Sequence, residues 1–126
     1  MDIVPVAADG RQMVESYGGG RFRVSGALYQ GSVLVQPDAT QAWPVEDMAG
    51  VTFESLAPLL AEEALTVEVI LLGCGAAMAP VSGDLRQALR SRGIGIEPMD
   101  TGAACRTYNV LLSEQRLVAA ALIAVE

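Results

Sequence analysis

Apolar positions change spacing repeatedly along this chain, and each change marks a different kind of element. Residues 12–17 and 21–25 flank Gly18-Gly19-Gly20, a turn that permits positive φ, and read as paired strands. Residues 29–35 follow Gly26 with alternating bulk and stop at Pro37-Asp38, predicting one further strand. Residues 36–50 read as loop, with Trp43-Pro44 inside. Phe53, Leu56, Leu59, Leu60 and Ala64 then recur at helical spacing, with Glu54, Glu62 and Glu63 off that stripe. Pro58 is tolerated only near a helix start, which places the start at Thr52 or Ser55. Residues 67–72 are apolar and β-branched apart from Glu68, as in a strand covered on both faces, and Gly73-Cys74-Gly75 ends them. Ser82 caps a helix to Arg92, with Leu85, Ala88 and Leu89 inward and Gly93 terminating it. Residues 94–97 form a short strand. Asp100 or Thr101 caps the next helix, whose inner stripe is Ala104, Tyr108, Leu111 and Leu112. Residues 117–125 are apolar throughout, the pattern of an interior strand.

The second half therefore reads β-α-β-α-β behind an N-terminal β-hairpin region, an α/β fold with parallel strands and helices on the sheet faces. Gly73–Gly75 and Met99–Gly102 both follow carboxyl ends of strands. They should share one sheet edge, where open α/β sheets bind ligands.

Composition sharpens this picture. The 126 residues suffice for one domain, 1–126, with a real core, and 52% are apolar. Mean hydropathy is +0.37. The longest uncharged run, residues 69–83, is broken by Gly73, Gly75 and Pro80 and falls short of the roughly 18 to 20 apolar residues of a membrane span. The start M-D-I-V-P-V lacks a basic region and an apolar signal core, so export is not expected and a cytoplasmic location is. Two cysteines without a secretion signal point to reduced thiols.

The chain has no histidine and no lysine. That excludes Ser-His-Asp and Cys-His catalysis, His-ligated zinc, Schiff-base chemistry and a P-loop lysine. Two cysteines cannot close a tetrahedral thiolate zinc site without help from a second chain. Neither metal nor cofactor is expected. The net charge of −7 lies wholly in residues 1–72, which hold ten acids against three arginines. No basic residue stands between Arg23 and Arg86. Such a chain lacks the basic footprint for nucleic acid or an anionic membrane. Its acidic stretch is either a docking face for a basic partner or a solvated surface.

The individual candidates each carry two readings. Gly73-x-Gly75 starts like a dinucleotide fingerprint, but Met78 stands where the third glycine would fall; a tight packing turn is the alternative. Asp100-Thr101-Gly102-Ala103 matches the tetrad of retroviral-type aspartic proteases, yet helical spacing follows it, which favours capping. Cys105 lies in the first helical turn beside Arg106, where a thiol can be activated; otherwise it is a buried structural thiol. With Cys74 it could form a redox pair. Arg106, Asn109 and Ser113 share a stripe that could bind a polar ligand, and Arg86 and Arg90 could hold an anion; a solvated helix face is the default for both. Trp43 is either a partner anchor, with Glu46 and Asp47 beside it, or the plug of one end of the core.

The run G-I-G-I-E-P-M-D-T-G-A-A-C-R-T-Y-N-V-L-L-S-E-Q-R-L-V-A-A-A-L-I, with V-I-L-L-G-C-G, L-R-Q-A-L-R-S-R-G and the early R-F-R-V-S-G-A-L-Y-Q-G-S-V-L-V, resembles the Mth938-like domain family. That family comprises small bacterial and archaeal domains and includes the mitochondrial complex I assembly factor three. The resemblance covers roughly residues 12–124, and D-T-G-A-A-C-R-T-Y-N is its most specific part. It implies a three-layer α/β fold with a mixed sheet, no established catalytic activity, and work through protein partners such as membrane-complex subunits. The matching positions at the sheet edge are Gly73, Gly75, Asp100, Thr101, Cys105, Thr107 and Asn109. Cys74 departs from the family, in which many members have threonine. Two functions follow as expectations: a non-catalytic assembly protein, or a small-molecule binder or enzyme working at that edge.

Overall fold

The structure, a computed structural model, describes residues 11–61 and 66–126. Among these residues eight strands form two sheets, accompanied by two α-helices. In the smaller, β1 (Val14–Gly18), β2 (Arg21–Val24) and β3 (Ala27–Gln30) run antiparallel in sequence order. The larger contains β4 (Val33–Gln36), β5 (Ala39–Ala42), β6 (Val69–Gly73), β7 (Gly95–Met99) and β8 (Val118–Leu122), in the order β5-β4-β8-β6-β7. It is mixed: β6 is parallel to β7 and to β8, whereas β4 is antiparallel to β5 and β8.

Strand order explains the layering. The connection from β6 to β7 steps toward one edge and the connection from β7 to β8 steps back past β6. Crossovers of one hand then put α1 (Gly83–Arg90) and α2 (Thr101–Ser113) on opposite faces. Side-chain alternation in β8 serves both: Ala119 and Ala121 join the core under α1, while Val118, Ala120 and Leu122 join the core under α2. β8 is buried at every residue, as an interior strand must be. The small sheet lies on the α2 side, where Phe22 and Val24 of β2 meet Tyr108 and Leu112 in the same core. Three layers result.

Three expectations need correction. Residues 29–35 are not one strand. Gly31, at φ 82°, turns the chain from β3 in the small sheet to β4 in the large one. Ser32 fixes that corner, its hydroxyl accepting from the Ala124 N–H and its carbonyl accepting from the Trp43 N–H. Residues 36–50 are not all loop, because Pro37-Asp38 is the turn of a β4–β5 hairpin. The stripe from Phe53 begins as a six-residue 3-10 helix, Glu54–Leu59, rather than an α-helix. Pro58 has no N–H to give an i−4 carbonyl, and the tighter turn still buries Leu56 and Leu59 at i and i+3. Thr52 and Ser55 hold its entry by accepting each other's backbone N–H on their hydroxyls. Glu62, Glu63 and Ala64 lie outside the described residues.

Candidate functional site

The two connections expected at one sheet edge do meet there. The Cys74 N–H donates to the Met99 carbonyl, 2.8 Å, and the Thr101 N–H to the Gly75 carbonyl, 2.9 Å. The Thr101 hydroxyl completes the clip. It donates to the Ile123 carbonyl at 2.7 Å and accepts from the Gly75 N–H at 2.9 Å. One side chain therefore ties the ends of β6, β7 and β8 together. Gly73 makes the approach possible, because a Cβ there would sit 3.0 Å from both Cα and Oγ1 of Thr101. Thr101 is wholly buried.

Asp100 caps α2 by accepting from the Ala103 N–H at 2.9 Å, which satisfies one of the open amides of the first turn. The tetrad Asp100–Ala103 thus starts a helix, not the β-loop of an aspartic protease. Cys105 lies one turn further on with no exposed surface. Burial pushes its thiol from 9.0 up to about 12, with Arg106 opposing and Asp100 adding to the shift. Held neutral and away from solvent, the thiol is a poor nucleophile near neutral pH. Cys74 is buried on the opposite face of the sheet, its thiol pointing at the Leu72 and Ala79 carbonyls, so the two cysteines belong to different cores and both are free.

Asn109 does not face outward with Arg106 and Ser113 as its spacing suggests. It is buried, and its carboxamide pairs with Val14 as a strand neighbour would. The Val14 N–H donates to Oδ1 at 3.0 Å, and Nδ2 donates to the Val14 carbonyl at 2.7 Å. Nearby, the Tyr108 hydroxyl donates to the Gln12 carbonyl at 2.9 Å and the Arg11 guanidinium to the Leu112 carbonyl at 2.6 Å. Burial likewise raises the Tyr108 hydroxyl above its ordinary value. The inner face of α2 is therefore a clamp on the start of β1. Thr107 and Asp100 stay half-buried at its flank.

Trp43 is core rather than an exposed anchor. It is 3% exposed, and its indole N–H donates to the Ser55 carbonyl at 2.8 Å, so the ring is already satisfied inside the fold. Glu46 and Asp47 beside it are exposed, and Asp47 caps the short 3-10 turn Met48–Gly50. Arg86 donates to the Ile96 carbonyl at 2.9 Å, and Arg90 is exposed.

Sequence reasoning passed over one surface. The segment 48–53 and the flank of α1 face each other across a groove formed by Met48, Val51, Phe53, Val81, Leu85 and Ala88. The density of apolar residues in a segment read as loop was the available signal.

Together the mixed five-stranded sheet, the separate small sheet and the clip at Thr101 define a Mth938-like α/β domain. Residues 14–123 match the family described as "Protein of unknown function (DUF498/DUF598)", and this chain belongs to it. A Rhodobacter capsulatus protein is 40% identical over 110 residues, covering 87% of this chain and 82% of that protein. The NADH dehydrogenase [ubiquinone] 1 alpha subcomplex assembly factor 3 of Danio rerio is 35% identical, covering 98% of this chain and 70% of the relative. Among solved structures, an outer membrane protein from Bartonella henselae superposes with a TM-score of 0.84 at 37% identity, over 95% of this chain and 100% of that one. A Bordetella pertussis protein described as a Mth938-like domain gives 0.78 at 28% identity, over 98% and 92%. Among the described residues no helix is long and apolar enough to cross a membrane.

Proposed function

We propose that this chain is a non-catalytic docking protein that helps assemble a respiratory membrane complex by holding its subunits, working in a reducing, cytoplasmic compartment. Relatives named as complex I assembly factors support the role. One structural observation carries the non-catalytic part: the polar groups of Asp100, Thr101 and Asn109 are committed to capping, clipping and clamping the backbone. A chain without histidine or lysine has few other groups able to move protons near neutrality. Two buried thiols suit a reducing compartment. The acidic first half, with Glu46 and Asp47 exposed, supplies the docking surface.

The rival reading places a small ligand at the Gly73–Gly75 and Asp100–Asn109 edge. It rests on Gly75, Asp100 and Thr107, which keep partial exposure there.

Affinity capture from native membranes, followed by mass spectrometry, tests the first reading, together with native-gel analysis of the respiratory complex in cells lacking the protein. Recovery of complex subunits and an accumulation of partial complexes are expected. A normal complex in the deletion strain, or a co-purified metabolite in place of subunits, refutes it.

A further inference from the structure

The groove beside α1 has the chemistry of a docking site. Two adjoining hollows, about 190 and 230 Å³, share Val51, Ser82 and Leu85. One wall is Met48, Val51 and Phe53; the other is Pro80, Val81, Leu85 and Ala88. Met48, Val51, Phe53 and Val81 pack only partly against the core beneath, so they present apolar surface to both core and solvent.

Charge then selects the occupant. Asp84 lines the groove, and the exposed Asp47 and Glu54 adjoin Met48 and Phe53. The wall from residue 46 to residue 54 contains no arginine or lysine at all. On the α1 side, Arg86 is drawn away to the Ile96 carbonyl. Arg92 stacks on the Phe53 ring at 5.4 Å, and Arg90 is exposed. An apolar floor edged by Asp84, with Asp47 and Glu54 next to its wall residues in the chain and the Arg92 guanidinium already occupied on Phe53, matches an amphipathic segment whose polar face is cationic.

We infer that this groove binds an apolar segment of a partner protein flanked by arginine or lysine. The inference deepens the docking function proposed above and rests on it. It commits that function to the groove between residues 48–53 and 80–88.

The test titrates the full chain with a synthetic peptide of about four helical turns, leucine at i, i+3, i+4 and i+7 and arginine elsewhere. A second peptide carries glutamate in place of arginine. Amide chemical shifts report where each binds, and fluorescence anisotropy reports how tightly. The arginine peptide should saturate at one site, with shifts confined to residues 48–53 and 80–88. The double variant Glu54→Arg/Asp84→Arg should weaken it about ten-fold at low salt. Val51→Asp should weaken it as well, and guards against a fold defect at Asp84 in the first turn of α1. Arg21→Glu/Arg23→Glu, on the small sheet, should leave it unchanged. Equal binding of the glutamate peptide overturns the inference, as do shifts elsewhere on the molecule. So do groove shifts that grow with protein concentration alone, which would make the occupant a second copy. Native capture separates the two levels. Subunits captured by wild type and equally by the groove variants would sink the groove and spare the assembly function. No capture by wild type would sink the assembly function, while the peptide titration still decides on the groove.

Discussion

Replacing Asn109 by alanine removes its two hydrogen bonds to Val14 of β1, at 3.0 and 2.7 Å. Each neutral bond of this kind contributes about 1 kcal/mol net. The larger effect is on what remains. Val14 has no exposed surface, so its N–H and carbonyl lose their partners in a dry site. Each orphaned group costs about 1–3 kcal/mol, less where water can enter the vacated volume. Allowing for that entry, Asn109→Ala should destabilise by about 3 kcal/mol. With a urea slope of about 2 kcal/mol/M, the midpoint falls by about 1.5 M and the slope is unchanged. Asn109→Leu separates polarity from volume: it fills the space yet offers neither partner, and should be no more stable than alanine. Hydrogen exchange adds a local readout, because the Val14 amide should lose protection in both variants. A midpoint within about 0.3 M of wild type, or rescue by leucine, would show that the carboxamide is only filling space.

Three further outcomes are expected. Gly73→Ala drives a Cβ to 3.0 Å from Thr101 and 3.1 Å from Leu122, which overpacks the clip and should lower stability by about 2–3 kcal/mol in urea unfolding. Asp100→Ala removes the cap of α2 and should cost about 1 kcal/mol, readable as a modest fall in melting temperature and faster exchange of the Ala103 amide. The third concerns alkaline pH. Above 9.0 an unfolded chain loses the Cys105 proton while the folded chain keeps it to about 12, so the unfolded state binds fewer protons and stability must fall as pH rises. The slope is about 1.4 kcal/mol per pH unit from this thiol, with Tyr108 adding above its ordinary 10.0. Urea titrations from about pH 8 to pH 10 should show that decline, and Cys105→Ala should flatten it.

Periodicity was enough for α2, β6, β8 and the meeting of Gly73–Gly75 with Asp100–Thr101, because these elements are local and their neighbours follow from parallel crossovers. It failed where tertiary contacts decide. Asn109 lies on a polar-looking stripe, and the arrival of β1 from 95 residues away covers it while Arg106 and Ser113 stay exposed. β5 carries Ala-Thr-Gln-Ala, with no apolar run to announce a strand, and exists because β4 offers it an edge. The Phe53 stripe has helical spacing, but Pro58 and the Thr52–Ser55 hydroxyls hold it in the tighter 3-10 form. Trp43 could be an anchor or a plug by sequence, and the Ser55 carbonyl decides for the plug.

The placement of β8 between β4 and β6 has a consequence for how the protein is made. On the ribosome, the other described strands emerge before the one that must sit at the centre of the large sheet. Until about residue 122 has cleared the exit tunnel, β4 and β6 have no shared neighbour and expose raw sheet edges. The large sheet can therefore close only after translation has passed β8. A stalled or truncated chain should be a substrate for chaperones and proteases rather than a partly working domain.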